Sequence, residues 1–194
     1  MKTVLGLTGP TGSGKTTAGQ KAKKLGWYVI DCDKVAREAV KDKTALCALK
    51  NAFGDDITDQ NGELNRKILA QRAFSSEQNT ELLNKTLLPF VVELVKKKID
   101  DSNSDKILLD APTLFESGAD ALCSKICAVL SSKENRLVRI MKRDNIDEQS
   151  ALLRMSAGKS DEYYKSKTMH IIYNDTDTKT LEQQFAMFLK NNGR

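Results

Sequence analysis

The sequence predicts an α/β protein in which helices cover both faces of a five-stranded parallel sheet. Five short apolar runs rich in β-branched residues recur along the chain, stretches of helical pattern separate them, and a glycine-rich segment follows the first run. Runs that are apolar throughout are typical of strands buried on both faces. Alternation of such strands with helices indicates right-handed crossovers, so we expect a three-layer sandwich.

The strands are predicted at residues 3–8, 27–31, 106–110, 126–130 and 170–174. The first helix is expected to open at Lys15, immediately after the glycine-rich segment. The chain closes on the amphipathic stretch "TLEQQFAMFLKNNG", which predicts a helix with Gly193 at its C-cap. On this pattern the core of the protein is formed by residues 1–33, 106–132 and 168–194.

The gap between the second and third strands, residues 34–105, is longer than a crossover needs and has a helical pattern. It contains "ALCALKNAF", a turn at "DQNG" and "NRKILAQRAF", and then a long stretch that begins at Ser75. Ser75 with Gln78 predicts a capping box, and Pro89 fits the first turn of a helix, so the long stretch is predicted to form two helices. An insertion of this size is expected to cover a substrate. A second insertion, charged and arginine-rich, spans residues 133–167.

Composition narrows the function classes. The chain has 194 residues, 40% of them hydrophobic, which suffices for one sizeable core. Lysine and arginine outnumber the acids 31 to 26, but the surplus is spread along the chain, which suits a small polyanion better than nucleic acid. Four cysteines without a Cys-x-x-Cys spacing, and no secretory or long apolar segment, predict a reduced cytoplasmic protein with no membrane contact. The single histidine argues against a histidine-based metal site.

The segment "GPTGSGKTT" after the first strand matches the phosphate-binding P-loop pattern. Its glycines let backbone N–H groups turn toward phosphates, its lysine reaches the β and γ phosphates, and its threonine hydroxyl ligates Mg²⁺. The absence of an Asn-Lys-x-Asp guanine signature favours ATP. The alternative is a glycine-rich turn without a ligand. The predicted nucleotide-binding residues of the loop are Gly9, Thr11, Gly12, Ser13, Gly14, Lys15, Thr16 and Thr17, of which Thr16 also holds the metal.

Carboxylates follow two of the predicted strands. Asp110 ends "KILLD" and is predicted to hold Mg²⁺ through water, the alternative being a plain strand end. Asp31 and Asp33 end "VIDCD", at the sheet edge where the phosphates are expected. Asp33 alone would be explained as the N-cap of the next helix, but a cap needs only one carboxylate. Two carboxylates beside a γ-phosphate are tolerated if one accepts a proton and the other supports Mg²⁺ or an arginine.

Six segments together resemble the dephospho-CoA kinase family, over residues 5–174. They are "GLTGPTGSGKTT", "VIDCDKVAR", "FGDDITDQNGELNRKILAQRAF", "LLDAPTLFE", "ENRLVRIMKRD" and "IIYN". The resemblance implies a P-loop kinase fold and transfer of the ATP γ-phosphate to the ribose 3'-hydroxyl of dephospho-CoA, with Mg²⁺. It also implies that residues 34–105 bind the substrate and that residues 133–167 form a lid carrying arginines.

The same resemblance assigns roles to single residues. Asp33 matches the aspartate that accepts the hydroxyl proton, and Asn174 matches an asparagine near the adenine. With Lys15 and Asp33, the implied catalytic residues are the lid arginines Arg139 and Arg143, which are four apart and share a helix face. On spacing alone, that face would equally suit a solvated basic surface. The implied substrate-binding residues are Thr8, Asp31, Arg37, Arg66, Pro112, Leu114 and Glu116.

The sequence departs from the family pattern outside the phosphate chemistry. The departures are Asn65, Leu88, Arg136, the region of Gly158, and Met169 with His170. Two other functions stay open on the sequence: another small-molecule P-loop kinase, acting on a nucleoside monophosphate or a sugar acid, and a non-catalytic ATP-dependent switch. We expect a monomer or a weak homo-oligomer.

Overall fold

The computed structural model describes residues 2–193, and its centre is a parallel sheet. The strands are β1 (Thr3–Thr8), β2 (Tyr28–Asp31), β3 (Lys106–Asp110), β4 (Lys125–Leu130) and β5 (His170–Tyr173). Their order in the sheet is β2-β3-β1-β4-β5, and every neighbouring pair is parallel. All five predicted strands and the α/β class are thereby confirmed.

Nine α-helices lie in the part of the chain that the structure describes. They are α1 (Lys15–Lys24), α2 (Cys32–Ala39), α3 (Lys43–Phe53), α4 (Arg66–Ala73), α5 (Glu77–Asp100), α6 (Lys133–Asp144), α7 (Glu148–Ser156), α8 (Asp161–Lys167) and α9 (Thr178–Asn192). The chain divides into two compact units. The first holds the residues up to Asp31, Ser102–Phe115 and the residues from Ala119 onward; the second holds Cys32–Asp101 and Glu116–Gly118.

The sheet of the first unit is buried on both faces, as its apolar runs predict. In β4, Cys127 and Val129 belong to the cluster that packs against α1 and α9, whereas Ala128 and Leu130 pack with Tyr164 of α8 on the opposite face. Successive strand residues point to opposite faces, so a strand covered on both sides has to be apolar at every position. Helix α9 ends at Asn192 with Gly193 as its C-cap, as predicted.

The second unit is helical and has its own core. Residues of α3 and α4 pack into one apolar cluster with the 3₁₀ turn Asp55–Ile57. Between α3 and α4 the predicted turn is present, because Asp59 Oδ1 accepts hydrogen bonds from the backbone N–H groups of Asn61 and Glu63, both at 2.9 Å. Asn65 caps α4 by accepting from the Ile68 N–H at 3.2 Å. Asparagine and aspartate cap equally well, so this departure keeps the local structure.

The prediction of two helices around Pro89 is wrong. Helix α5 runs without interruption through Pro89. Proline removes one N–H donor from a helix, but Pro89 is exposed, so water can satisfy the carbonyl that loses its partner. The predicted capping residue is also shifted by one position, because Ser76 caps α5 through the Asn79 N–H, while the Ser75 hydroxyl donates to Arg72 O.

All four cysteines lie in the described part of the chain, and none of them forms a disulfide bond. Cys32 and Cys127 are buried, and burial raises the pKa of the Cys127 thiol to about 12, which keeps it protonated and unreactive. Over residues 2–193, no helix combines the length and the apolar character needed to cross a membrane.

Candidate active site

The carboxyl edge of the sheet brings two predicted site residues of the first unit side by side. Asp31 ends β2 and lies in register with Asp110, which ends β3. Asp110 is in turn in register with Leu7 of β1, directly before the P-loop. Ligands of open parallel sheets bind at this edge, so the strand register alone places both carboxylates where a nucleotide is expected.

The P-loop takes the conformation that its glycines predict. Gly14 has φ of 110° and is the N-cap of α1, with no side-chain hydrogen bond at the cap. A side chain there would lie 2.3 Å from Asn174 Nδ2, so glycine is required for space as well as for conformation. The first turn of α1 contains no acidic residue. The N–H groups of such a helix start are suited to an anion.

Lys15 folds back over the loop. Its Nζ donates to the backbone oxygens of Gly9, at 2.7 Å, and Pro10, at 3.0 Å. The ammonium group is therefore held at the loop.

Asp110 and Thr16 provide oxygen atoms near one face of α1. A methyl group built on Gly19 would lie 3.2 Å from Asp110 Oδ2, and Thr16 is exposed three residues earlier, on the same helix face. Mg²⁺ prefers one or two protein oxygens and takes its other ligands from water and phosphates. This pair of residues fits that requirement.

Helix α6 lies directly on the P-loop. A methyl group built on Gly12 would meet Arg136 O at 2.9 Å and Ile140 Cγ1 at 3.0 Å. Arg136 is 8% exposed, donates from Nε to Thr11 O at 3.0 Å, and forms an ion pair with Asp161 at 3.5 Å. In the sequence, Arg136 stands out only as a departure from the family pattern. Its spacing of three residues before Arg139 was the signal that it shares the face of α6 that meets the loop.

Arg139 is anchored by three oxygen atoms. Its Nη1 donates to Ser131 Oγ at 3.0 Å and to Gly12 O at 3.4 Å, and its Nη2 donates to Asn174 O at 2.8 Å. The guanidinium group thus joins α6 to the loop and to the residue after β5.

Arg143 is the outer arginine of α6. Its Nε and Nη2 donate to the carboxylate of Asp144 at 2.8 and 2.9 Å, and Nη2 lies 3.5 Å from Thr11 Oγ1. Arg154 also pairs with Asp144. The hydrogen bonds from Arg143, with the charges of both arginines, lower the pKa of Asp144 to about 2, so this carboxylate stays ionised at neutral pH.

Asn174 is buried behind the loop. Its Nδ2 donates to Ser13 O at 2.8 Å, and its backbone oxygen accepts a hydrogen bond from Arg139 Nη2. Ser13 Oγ is buried and has no hydrogen-bond partner. Asn174 therefore supports the loop backbone, and its contact with an adenine stays a prediction.

Comparison with known proteins places this arrangement in a family. The family model described as dephospho-CoA kinase matches residues 3–180. The chain belongs to the dephospho-CoA kinase family. The family predicted from the sequence motifs is thus confirmed.

Curated dephospho-CoA kinases match nearly the whole chain. The protein of Fusobacterium nucleatum is 32% identical over 95% of this chain and 96% of its own length. That of Enterococcus faecalis is 33% identical over 98% and 97%. Among solved structures, TT1252 from Thermus thermophilus has a TM-score of 0.81 at 26% identity, with 98% of this chain and 97% of that chain covered. A shikimate kinase from Acinetobacter baumannii shares the fold, with a TM-score of 0.56 at 16% identity over 99% and 95%.

The other residues that the family resemblance implicates in the first unit lie near the sheet edge. Thr8 Oγ1 is 3.4 Å from Pro112 O, which ties the end of β1 to the segment after β3. Leu114 is fully buried, and its Cδ2 would lie 2.8 Å from a methyl group on Gly6. Leu114 is thus a packing residue that shapes this segment, and its contact with substrate stays a prediction.

The second unit carries the remaining family positions. Arg66 Nη2 donates to Arg37 O at 3.2 Å, so these two arginines lie together. Glu116 Oε2 is buried without a hydrogen-bond partner. Asp33 is exposed in the first turn of α2, which begins at Cys32. The alternative that Asp33 precedes and caps this helix is therefore wrong, because the helix has already begun.

Proposed function

We propose that this chain transfers the γ-phosphate of ATP to the ribose 3'-hydroxyl of dephospho-CoA, giving coenzyme A and ADP. The observation that carries the proposal, beside the family match, is the convergence of Lys15, Arg139 and Arg143 on residues 9–12 of the P-loop. Cations held at a phosphate-binding loop are the parts that phosphoryl transfer requires, because its catalysis is mainly positioning and charge stabilisation.

The proposal gives roles to the residues of the first unit that lie around the P-loop. The N–H groups of the loop and of the start of α1 bind the β and γ phosphates, with Lys15 between them. Arg139 and Arg143 neutralise charge that spreads over the γ-phosphate oxygens in the transition state. Thr16 and Asp110 would hold Mg²⁺, which would offset the negative charge of the phosphates. Asp31 would orient this ion or an arginine side chain of the protein.

The acceptor half of the reaction is assigned to the second unit, Cys32–Asp101 with Glu116–Gly118, which contains most of the predicted insertion at residues 34–105. Asp33 takes the proton of the 3'-hydroxyl as its oxygen bonds to the γ-phosphorus, and the bond from that phosphorus to the bridging oxygen of ADP breaks. Arg37, Arg66 and Glu116 hold the acceptor. Residues 133–167 act as the lid. The cysteines, none of which forms a disulfide bond, support a cytoplasmic location, and we propose a monomer or weak homo-oligomer.

The test is a panel of acceptors incubated with ATP and Mg²⁺, with products identified by mass spectrometry. Dephospho-CoA should gain one phosphate and have the highest kcat/KM. Higher kcat/KM for AMP, shikimate or gluconate would show another small-molecule kinase, and nucleotide binding without any phosphorylated product would show an ATP-dependent switch.

Replacement of either lid arginine should slow the chemical step. We expect Arg139→Ala and Arg143→Ala each to lower kcat by about 10²-fold with a smaller change in the KM for dephospho-CoA, because they act on transition-state charge. Steady-state kinetics with both substrates measure this split. Lys142→Ala is the matched control, since Lys142 is an exposed cation of the same helix and should leave kcat unchanged. Normal kcat in both arginine variants would identify this face of α6 as a plain basic surface.

A further inference from the structure

The carboxylate of Asp175 gathers several donors on one oxygen atom. Its Oδ1 lies 2.8 Å from Ser131 Oγ, 2.6 Å from the backbone nitrogen of Ser132 and 3.2 Å from Asn135 Nδ2. These donors, the backbone N–H of Ser132 first among them, lower the pKa of Asp175, so the group is ionised at neutral pH. Ser132 is the N-cap of α6. Asp175 directly follows Asn174, which supports the loop. It therefore ties this part of the chain to the start of the helix that carries the arginines.

Ser131 connects this carboxylate to Arg139. The serine is 2% exposed, and its Oγ lies 3.0 Å from Arg139 Nη1 and 2.8 Å from both Asp175 Oδ1 and Asn174 O. An arginine only donates, so the hydroxyl accepts from Arg139 and has one proton to give. A carboxylate is the stronger acceptor, and Asn174 O already receives Arg139 Nη2. The proton therefore points to Asp175.

We propose that Asp175 is a positioning residue for phosphoryl transfer: it holds Arg139 against Gly12 of the P-loop through Ser131 and the first turn of α6. This inference rests on the proposed function only in that Arg139 acts on the transferring phosphate. An arginine side chain has many rotamers, and fixing it before substrate binds removes that entropic cost from each turnover.

A double-mutant cycle tests the coupling. Asp175→Ala should lower kcat by about tenfold, with a smaller change in the KM for ATP. Without Asp175, the side chain of Arg139 occupies its position at the transferring phosphate less often. The same substitution in an Arg139→Ala background should change kcat less than about twofold, because its target is already gone. Independent, multiplying effects of the two substitutions would overturn the proposal.

Asp177→Ala is the matched control. Asp177 lies two residues further on and caps α9 by accepting from the Thr180 N–H at 2.9 Å. Both alanine variants lose an aspartate that binds a helix N-terminus, so both should melt at a lower temperature, but only Asp175→Ala should lose kcat. An equal loss of kcat in Asp177→Ala would show that loop stability, and not the position of Arg139, sets the rate.

Nucleotide affinity provides a second readout without any acceptor. Calorimetric titrations with ATP and with ADP should show a loss confined to ATP in both Asp175→Ala and Arg139→Ala, since the γ-phosphate is the group that Arg139 meets. Equal losses for both nucleotides, or no loss in Asp175→Ala, would reject the positioning role. A wild-type protein that fails to phosphorylate dephospho-CoA would reject the proposed function and would leave this measurement valid.

Discussion

Lys15→Ala is expected to lower kcat/KM by about 10³-fold and to weaken ATP binding. The ammonium group is held between the Gly9 and Pro10 carbonyl oxygens, at the loop to which the β and γ phosphates would bind. Alanine keeps the helix start, because it is a good helix former, and removes only the charge. Stopped-time product assays and calorimetric titration with ATP measure the two effects.

Lys21→Ala separates a catalytic loss from a folding defect. Lys21 is also on α1, but it pairs with Glu182 of α9 at 3.2 Å, away from the loop. We expect near-normal kcat/KM and a small change in melting temperature for this variant. If Lys15→Ala turned over at the wild-type rate, the assignment of residues 9–16 as the phosphate site would be rejected.

Asp33→Asn is expected to lower kcat by about 10²-fold or more while ATP affinity is retained. Asparagine has the shape of aspartate but cannot accept a proton at neutral pH. Because α2 begins at Cys32, Asp33 is an exposed residue of the first turn and not the cap, so a purely structural role predicts only a small change in stability. Kinetics with saturating dephospho-CoA and thermal melting distinguish the two roles.

Two further variants sharpen this result. Asp42→Asn changes an aspartate that does cap a helix of the same unit, through the Thr44 and Ala45 N–H groups, and should leave kcat unchanged. Asp31→Asn should act through Mg²⁺ or an arginine, so excess Mg²⁺ should partly restore its rate. An active, stably folded Asp33→Asn enzyme would show that another group accepts the proton.

The sequence was sufficient for the sheet and the loop, because both depend on local patterns. Several features can be recognised in the sequence without tertiary structure: apolar β-branched runs, aspartates at strand ends, and a fixed spacing of glycines. The helix break predicted at Pro89 is not observed. The free-energy cost of a proline inside a helix depends on whether water can reach the carbonyl that loses its N–H partner. Arg136 was missed as a site residue because arginines of a charged helix usually face solvent, and only packing against Gly12 and Asp161 makes this one buried.

Hydrogen bonds between residues far apart in the chain could not be predicted from local sequence patterns. Asn174 binds Ser13 O, and Arg139 binds Gly12 O, across separations of 161 and 127 residues. Such pairs are set by the strand order of the sheet, which the sequence does not state. The family resemblance identified Arg139, Arg143 and Asn174 by position, whereas the structure identifies their hydrogen-bond partners.

The cations at the loop are solvated by the protein itself. Backbone carbonyl oxygens accept hydrogen bonds from Lys15, Arg136 and Arg139, and so stand where water would otherwise hydrate these charges. They belong to Gly9, Pro10, Thr11, Gly12 and Asn174. An incoming anion must compete with these dipoles and not merely with bulk solvent. Weakly charged ions gain little from that exchange, whereas adjacent phosphates present several anionic oxygens at once. We therefore expect the loop to favour ligands that carry several adjacent anionic oxygens over the chloride and carboxylates of the surrounding solution.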